Sequence, residues 1–176
     1  MKKILAIGAS NSSTSINKKF ATYIANQLKD VEVTVLNWDE FVLPLFSVDL
    51  EKEIGIPENA VKFKTLIEAA DAVVLSMAEH NGLPSAAYKN LSDWTSRIEP
   101  KFWAGKPMFL AATSPGGRGG ASVLQVTKEL IPRFGANLIV DFSLPSFQQN
   151  FEGDEVVNSE LKATLLAKVQ LFQKAI

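Results

Sequence analysis

Cysteine is absent from this 176-residue chain, which removes disulfides, thiolate nucleophiles and cysteine metal ligands at once. Histidine occurs once, as His80. Long runs of like charge are missing too, and the formal net charge is only −1. A nucleic-acid or membrane-surface partner needs a concentrated basic footprint, so neither is expected. No apolar run approaches the roughly 20 residues of a membrane span. Met1-Lys2-Lys3 followed by Ile4 to Ala9 superficially resembles a signal peptide, but the apolar stretch is too short and runs straight into Ser and Asn. A cytoplasmic location is therefore expected, and the lack of cysteine is compatible with it.

What is present is an alternation of apolar runs and amphipathic stretches. Hydrophobic residues make up 47% of the chain, enough for a sizeable core in one domain spanning residues 1–176. Lys3 to Gly8, Asp71 to Ala78, Met108 to Thr113 and Asn137 to Phe142 read as buried strands. Val31 to Leu36 alternates β-branched and polar residues, the pattern of a strand near a sheet edge. Helices are expected over 16–28, from Pro57 at a first helical position to about Ala70, and over 85–97, 121–134 and 156–174. Asn37 to Pro57 reads as a loop with a short helical turn, carrying an exposed-looking segment from Phe41 to Phe46. Strands separated by helices imply right-handed crossovers and a parallel sheet covered on both faces. With five strands the expected architecture is a flavodoxin-like α/β three-layer sandwich of strand order 2-1-3-4-5.

Ligands of such sheets lie beyond the carboxyl ends of the strands, where the strand order reverses. Three loops fall there: Ser10 to Asn17, Glu79 to Pro84 and Ser114 to Gly120. All are rich in Gly, Ser or Asn. The first is a small-residue turn leading into a helix, which suits a phosphate because free N–H groups and the helix dipole favour an anion. Ser10, Ser12, Ser13 and Ser15 add hydroxyl donors, although a serine-capped turn occurs in every α/β protein. Asn81-Gly82 is equally a common turn dipeptide.

Ser10 to Asn17, Glu79-His80-Asn81-Gly82 with Pro84, Lys89-Asn90 and Asp93-Trp94, and Ser114-Pro115-Gly116-Gly117-Arg118-Gly119-Gly120 resemble, in order, the signatures of the NADPH-dependent FMN reductase family. The resemblance implies an FMN-dependent oxidoreductase. NADPH or NADH would reduce the flavin at N5, and a small-molecule electron acceptor would follow: a quinone, azo compound, metal oxyanion or free flavin. It implies that Ser10, Ser12, Ser15, Ile16 and Asn17 hold the phosphate, and that Glu79, His80, Asn81 and Gly82 shape the ring site. Ser114, Gly116 and Gly117 would line its far side. No protein acid, base or metal is required. His80 is expected as a wall of the ring site rather than a catalyst, and Arg118 either meets the 2′-phosphate of NADPH or is a surface cation. Trp94 and Trp103 read as packing residues, with a subunit contact the other reading, since the family's helix faces a second copy in a homodimer or homotetramer. An alternative is a flavodoxin-like electron carrier; such carriers are usually strongly acidic, and this chain is not.

The chain departs from the family pattern at four positions. Ser12 stands where the family usually has Arg, Ala9 where it has Gly, His80 where it has Tyr and Ala78 where it has Pro. Losing a bidentate guanidinium removes a charge-assisted contact of about 1.5–3 kcal/mol to the phosphate.

Overall fold

The computed structural model describes residues 1–176. The elements run β1 (Lys2–Ala9), α1 (Ile16–Asn26), β2 (Val31–Val35), α2 (Val48–Ile54), α3 (Glu58–Ala69), β3 (Ala72–Met77), β4 (Glu79–His80), β5 (Leu83–Pro84), α4 (Ala86–Ile98) and β6 (Pro107–Thr113). They continue with α5 (Ala121–Leu130), β7 (Asn137–Leu144), α6 (Phe147–Asn150), β8 (Phe151–Glu152), β9 (Glu155–Val156) and α7 (Ser159–Gln173). The main sheet has the order β2-β1-β3-β6-β7, parallel throughout. This is the expected 2-1-3-4-5 arrangement, with the two small hairpins β4–β5 and β8–β9 outside it.

Strand burial follows position in the sheet. Central β3 is buried at every residue, and β2 at the edge alternates intermediate and exposed. Side chains of alternate residues point to opposite faces, so the sheet feeds two cores. Leu5, Ile7, Val73 and Leu75 pack under α3, α4 and α5 with Phe63, Phe102 and Trp103. Ile4, Ala6, Val74 and Phe109 pack under α1 and α7 with Phe20, Ile24 and Phe172. Trp94 and Trp103 are both completely buried inside the chain, so they are core residues rather than subunit contacts. The Trp94 indole N–H also donates to the Pro44 carbonyl at 2.8 Å, holding the 41–46 segment against α4.

Several boundaries differ from the sequence reading. Residues 37–57 contain a real helix, α2, capped by Ser47, whose hydroxyl accepts from Leu50 N–H at 3.1 Å. Phe41 is buried, while Val42 and Leu45 are exposed. Pro57 caps α3 from outside rather than occupying its first turn. Helix α5 stops at Leu130 instead of Phe134: Ile131 is still helical in backbone, but Pro132 has no N–H to continue the ladder, and Gly135 turns the chain at φ +82°. Helix α7 starts at Ser159, capped by Asn158, because Val156 is paired in the β8–β9 hairpin.

Candidate functional site

The loops after β1, β3 and β6 meet at one cleft of about 250 Å³, lined by Ser10, Ser12, Ser15, Asn17, His80 and Ser114 among others. The first loop is built for close approach. A Cβ at Gly8 would collide with the backbone N and Cα of Lys18 and lie 2.6 Å from the Asn17 carbonyl carbon, so only glycine lets α1 start this close to β1. The Gly8 carbonyl accepts from the Trp38 indole N–H and from Ser10 N–H. Ser15 caps α1, its hydroxyl accepting from Lys18 N–H at 3.1 Å. The Ser10 hydroxyl accepts from Ser12 N–H at 3.2 Å. Backbone N–H groups of Ser13, Ile16 and Asn17 have no acceptor within the chain. They are the orphan donors of a helix start, and the dipole adds positive potential there.

Asn17 behaves differently from the serines. Its side chain is 3% exposed and fully engaged. Its amide donates to the Thr113 carbonyl at 3.1 Å, and its oxygen accepts from Thr113 N–H at 3.1 Å and Ser76 Oγ at 2.7 Å. Asn17 is thus a clamp joining α1 to the carboxyl ends of β3 and β6. Its backbone N–H has no acceptor within the chain and is left for a ligand.

The second loop is a two-residue hairpin. Asn81 and Gly82 have φ of +54° and +80°, the geometry of a type I′ turn, with His80 opposite Leu83. Gly82 is needed for this turn whatever binds beside it. An added Cβ would meet only Ser122 Cβ, at 3.8 Å. Glu79 lines the cleft, and its Oε2 accepts from Val123 N–H at 3.0 Å. Helix α5 has Gly120 at its cap position and no capping side chain of its own, so Glu79 supplies the cap from a different loop. His80 is exposed at the rim.

In the third loop the glycines divide into two kinds. Gly119 has φ +58°, and a Cβ there would lie 2.8 Å from Pro145 N and 2.9 Å from the Leu144 carbonyl carbon. Gly120 has φ +75°, with Ala112 Cβ 3.0 Å away. The fold itself requires both. Gly116 and Gly117 adopt ordinary φ, and a Cβ there meets nothing closer than Ser146 Oγ at 4.0 Å. Their N–H groups, with that of Gly82, also lack acceptors. The fold therefore leaves open, at these two positions, a bare backbone surface. Ser146, in left-handed backbone, fixes the loop through its N–H to the Gly116 carbonyl at 2.9 Å, with Phe147 N–H to the Ser114 carbonyl at 3.0 Å. Arg118 is exposed and donates to Ser122 Oγ at 2.8 Å, with no carboxylate partner.

The cleft fits a flavin mononucleotide. Hydroxyls and free N–H groups at the start of α1 match a phosphate, whereas Asn81, Gly82, Gly116 and Gly117 lie beyond the residues that line the cleft and offer it only their neighbouring backbone. Gly8, Ser76, Ser85 and Thr113 were not singled out from the sequence. Ser76 was visible as the one polar residue inside an apolar run. Ser85, 1% exposed, donates to the Ala9 carbonyl at 2.7 Å and ties α4 to the first loop. No local pattern announces that contact.

Comparison with known proteins shows what the chain is similar to. An NADPH azoreductase of Bacillus sp. (strain OY1-2) is 33% identical over 137 residues, covering 78% of this chain and 72% of the relative. A quinone reductase of Escherichia coli (strain K12) is 35% identical over 79 residues, 45% of this chain. That match spans 42% of the quinone reductase, under half its length. The solved structure of FerB, a flavoenzyme NAD(P)H:(acceptor) oxidoreductase from Paracoccus denitrificans, aligns over 99% of this chain and 96% of its own. Its TM-score is 0.79 at 25% identity. The model of the NADPH-dependent FMN reductase family matches residues 2–149. The chain belongs to the NADPH-dependent FMN reductase family.

Proposed function

We propose that this chain is an NAD(P)H-dependent FMN oxidoreductase that reduces a small acceptor such as a quinone, azo compound, metal oxyanion or free flavin. The observation that carries the reading is the single cleft on which all three strand-end loops converge. Ser10, Ser12 and Ser15 with the N–H groups of Ile16 and Asn17 bind the phosphate. The backbone of Gly82, Gly116 and Gly117 approaches the ring, with His80 as a wall. When bound, FMN supplies hydride and electron transfer through N5. The protein orients the ring between two rigid loops, leaves one face open to coenzyme and acceptor, and places N–H dipoles where negative charge develops. Glu79 acts at one remove, by pinning the second loop to α5. Arg118, free of acidic partners, meets a phosphate of the coenzyme.

We place the enzyme in the cytoplasm as a homodimer or homotetramer. No helix is long and apolar enough to cross a membrane. Exposed Val42, Leu45 and Val48 supply apolar surface for a second copy to cover. The test is purification without added flavin, identification of any released cofactor by mass, and assay with NADPH or NADH and a quinone. Bound FMN and coenzyme-dependent turnover are expected. A colourless protein that fails to bind added FMN overturns the proposal.

A further inference from the structure

A second, larger groove of about 530 Å³ opens beside the cleft, between α1 and the β8–β9 hairpin. Thr14 and Ser15 line both spaces, so the groove begins at the phosphate end of the cleft. It follows one stripe of α1 from Ser15 through Lys18, Lys19, Thr22 and Tyr23 to Asn26. Eleven residues of helix at 1.5 Å rise give a length of about 16 Å. Its lining is almost wholly polar. Lys18 and Lys19 form no ion pair within the chain. The opposite wall carries the carboxylates of Asp154 and Glu155, the latter paired with Lys162 at 2.8 Å.

Tyr23 supplies an independent observation. The residue is 6% exposed and lines the groove, and its phenol oxygen is buried without any hydrogen-bond partner. A buried hydroxyl left unpaired costs stability unless something outside the chain meets it. Its ring is fixed edge-on against Phe151 at 5.6 Å, so it does not turn away easily.

We infer that this groove receives the second nucleotide of a dinucleotide flavin, so that the site takes FAD as well as FMN. The inference rests on the reading that the cleft holds a flavin phosphate at the start of α1. A pyrophosphate-linked extension from that phosphate runs into the groove, because Thr14 and Ser15 line both spaces. Lys18 and Lys19 then meet the second phosphate, and the Asp154 carboxylate accepts from ribose hydroxyls, as acidic residues do in dinucleotide sites. Ser12 is consistent with this. Without a guanidinium, the first subsite suits a singly charged phosphodiester better than the terminal dianion of FMN.

The test is flavin exchange. The FMN-loaded full-length chain is equilibrated with an equal concentration of FAD, and the protein-bound flavin is identified by chromatography. Substantial exchange to FAD is expected. Tyr23→Phe and Lys19→Ala should each shift the bound ratio toward FMN by about tenfold, one charge-assisted contact's worth, with FMN affinity itself unchanged. Tyr23→Phe should melt no lower than the parent, which separates ligand loss from misfolding. Retention of FMN alone, with both variants without effect, overturns the groove assignment and leaves the FMN reading standing. Unchanged flavin ratios combined with weaker NADH or NADPH binding in the variants would assign the groove to the coenzyme and overturn it as well. Failure to bind either flavin overturns both readings.

Discussion

Ser76 Oγ donates to Asn17 Oδ1 at 2.7 Å, deep between helix α1 and strand β3. The same amide group exchanges two further bonds with the backbone of Thr113 on β6. One side chain thereby fixes the start of α1 against the carboxyl ends of β3 and β6, which shape the cleft. Asn17→Ala leaves the Ser76 hydroxyl and both Thr113 backbone groups without partners, each costing about 1–3 kcal/mol when buried. A loss of about 3 kcal/mol in urea denaturation is expected, with weaker FMN binding. Unchanged stability would show that Asn17 is not the clamp.

The two kinds of glycine in the third loop predict opposite outcomes. Gly119→Ala forces a Cβ into the backbone of Leu144 and Pro145 at positive φ, so a loss of about 2 kcal/mol or more is expected. Gly116→Ala meets empty space and should change stability by less than about 0.5 kcal/mol, while weakening FMN binding. Equal effects of the two substitutions on both measurements would remove the case for a ligand-facing backbone.

Glu79 and Val123 are far apart in sequence but joined at 3.0 Å. Glu79→Ala removes the cap of α5, at a cost of about 1 kcal/mol. The Val123 amide should then lose protection in hydrogen exchange, and the His80–Leu83 hairpin should become more mobile. Protection at Val123 that survives the substitution would rule this cap out.

Asp71 couples stability to pH. Its Oδ2 accepts from Lys3 N–H at 2.7 Å, and this bond, with nearby Lys2 and Lys106, holds its carboxyl below the usual range. A depressed folded-state value contributes stability above the unfolded carboxylate pKa and loses it as pH falls through the lower, folded one. Asp71→Asn should therefore melt lower than the parent at neutral pH, with the difference shrinking below pH about 4. A difference that grows on acidification would contradict the assignment.

Ser12 is exposed at the phosphate end of the cleft, its hydroxyl 3.3 Å from Thr14 Oγ1. Ser12→Arg should strengthen FMN binding by about tenfold through a bidentate contact. Titration by flavin fluorescence quenching measures it directly. No change would mean that the phosphate does not sit against this residue.

The amino-acid sequence by itself determined the layered architecture and the place of the cleft. Apolar runs such as Ala72 to Leu75 are buried on both faces only in a parallel sheet, and each crossover has one favoured hand. Glycine, serine and asparagine at three strand ends then marked the loops that meet. These signals are local, so they survive in the linear order. The tertiary structure decided which of the marked residues serve the fold and which are left for a ligand. Asn17 and Gly119 look like their neighbours in the sequence, yet one is spent on Thr113 and Ser76 and the other on Leu144 and Pro145. Helix α2, the early end of α5 and the burial of Trp94 were settled the same way, by contacts between residues distant along the chain. Such contacts carry no periodicity and no fixed spacing, because a hydrogen bond or a packed ring depends on where two segments meet in space.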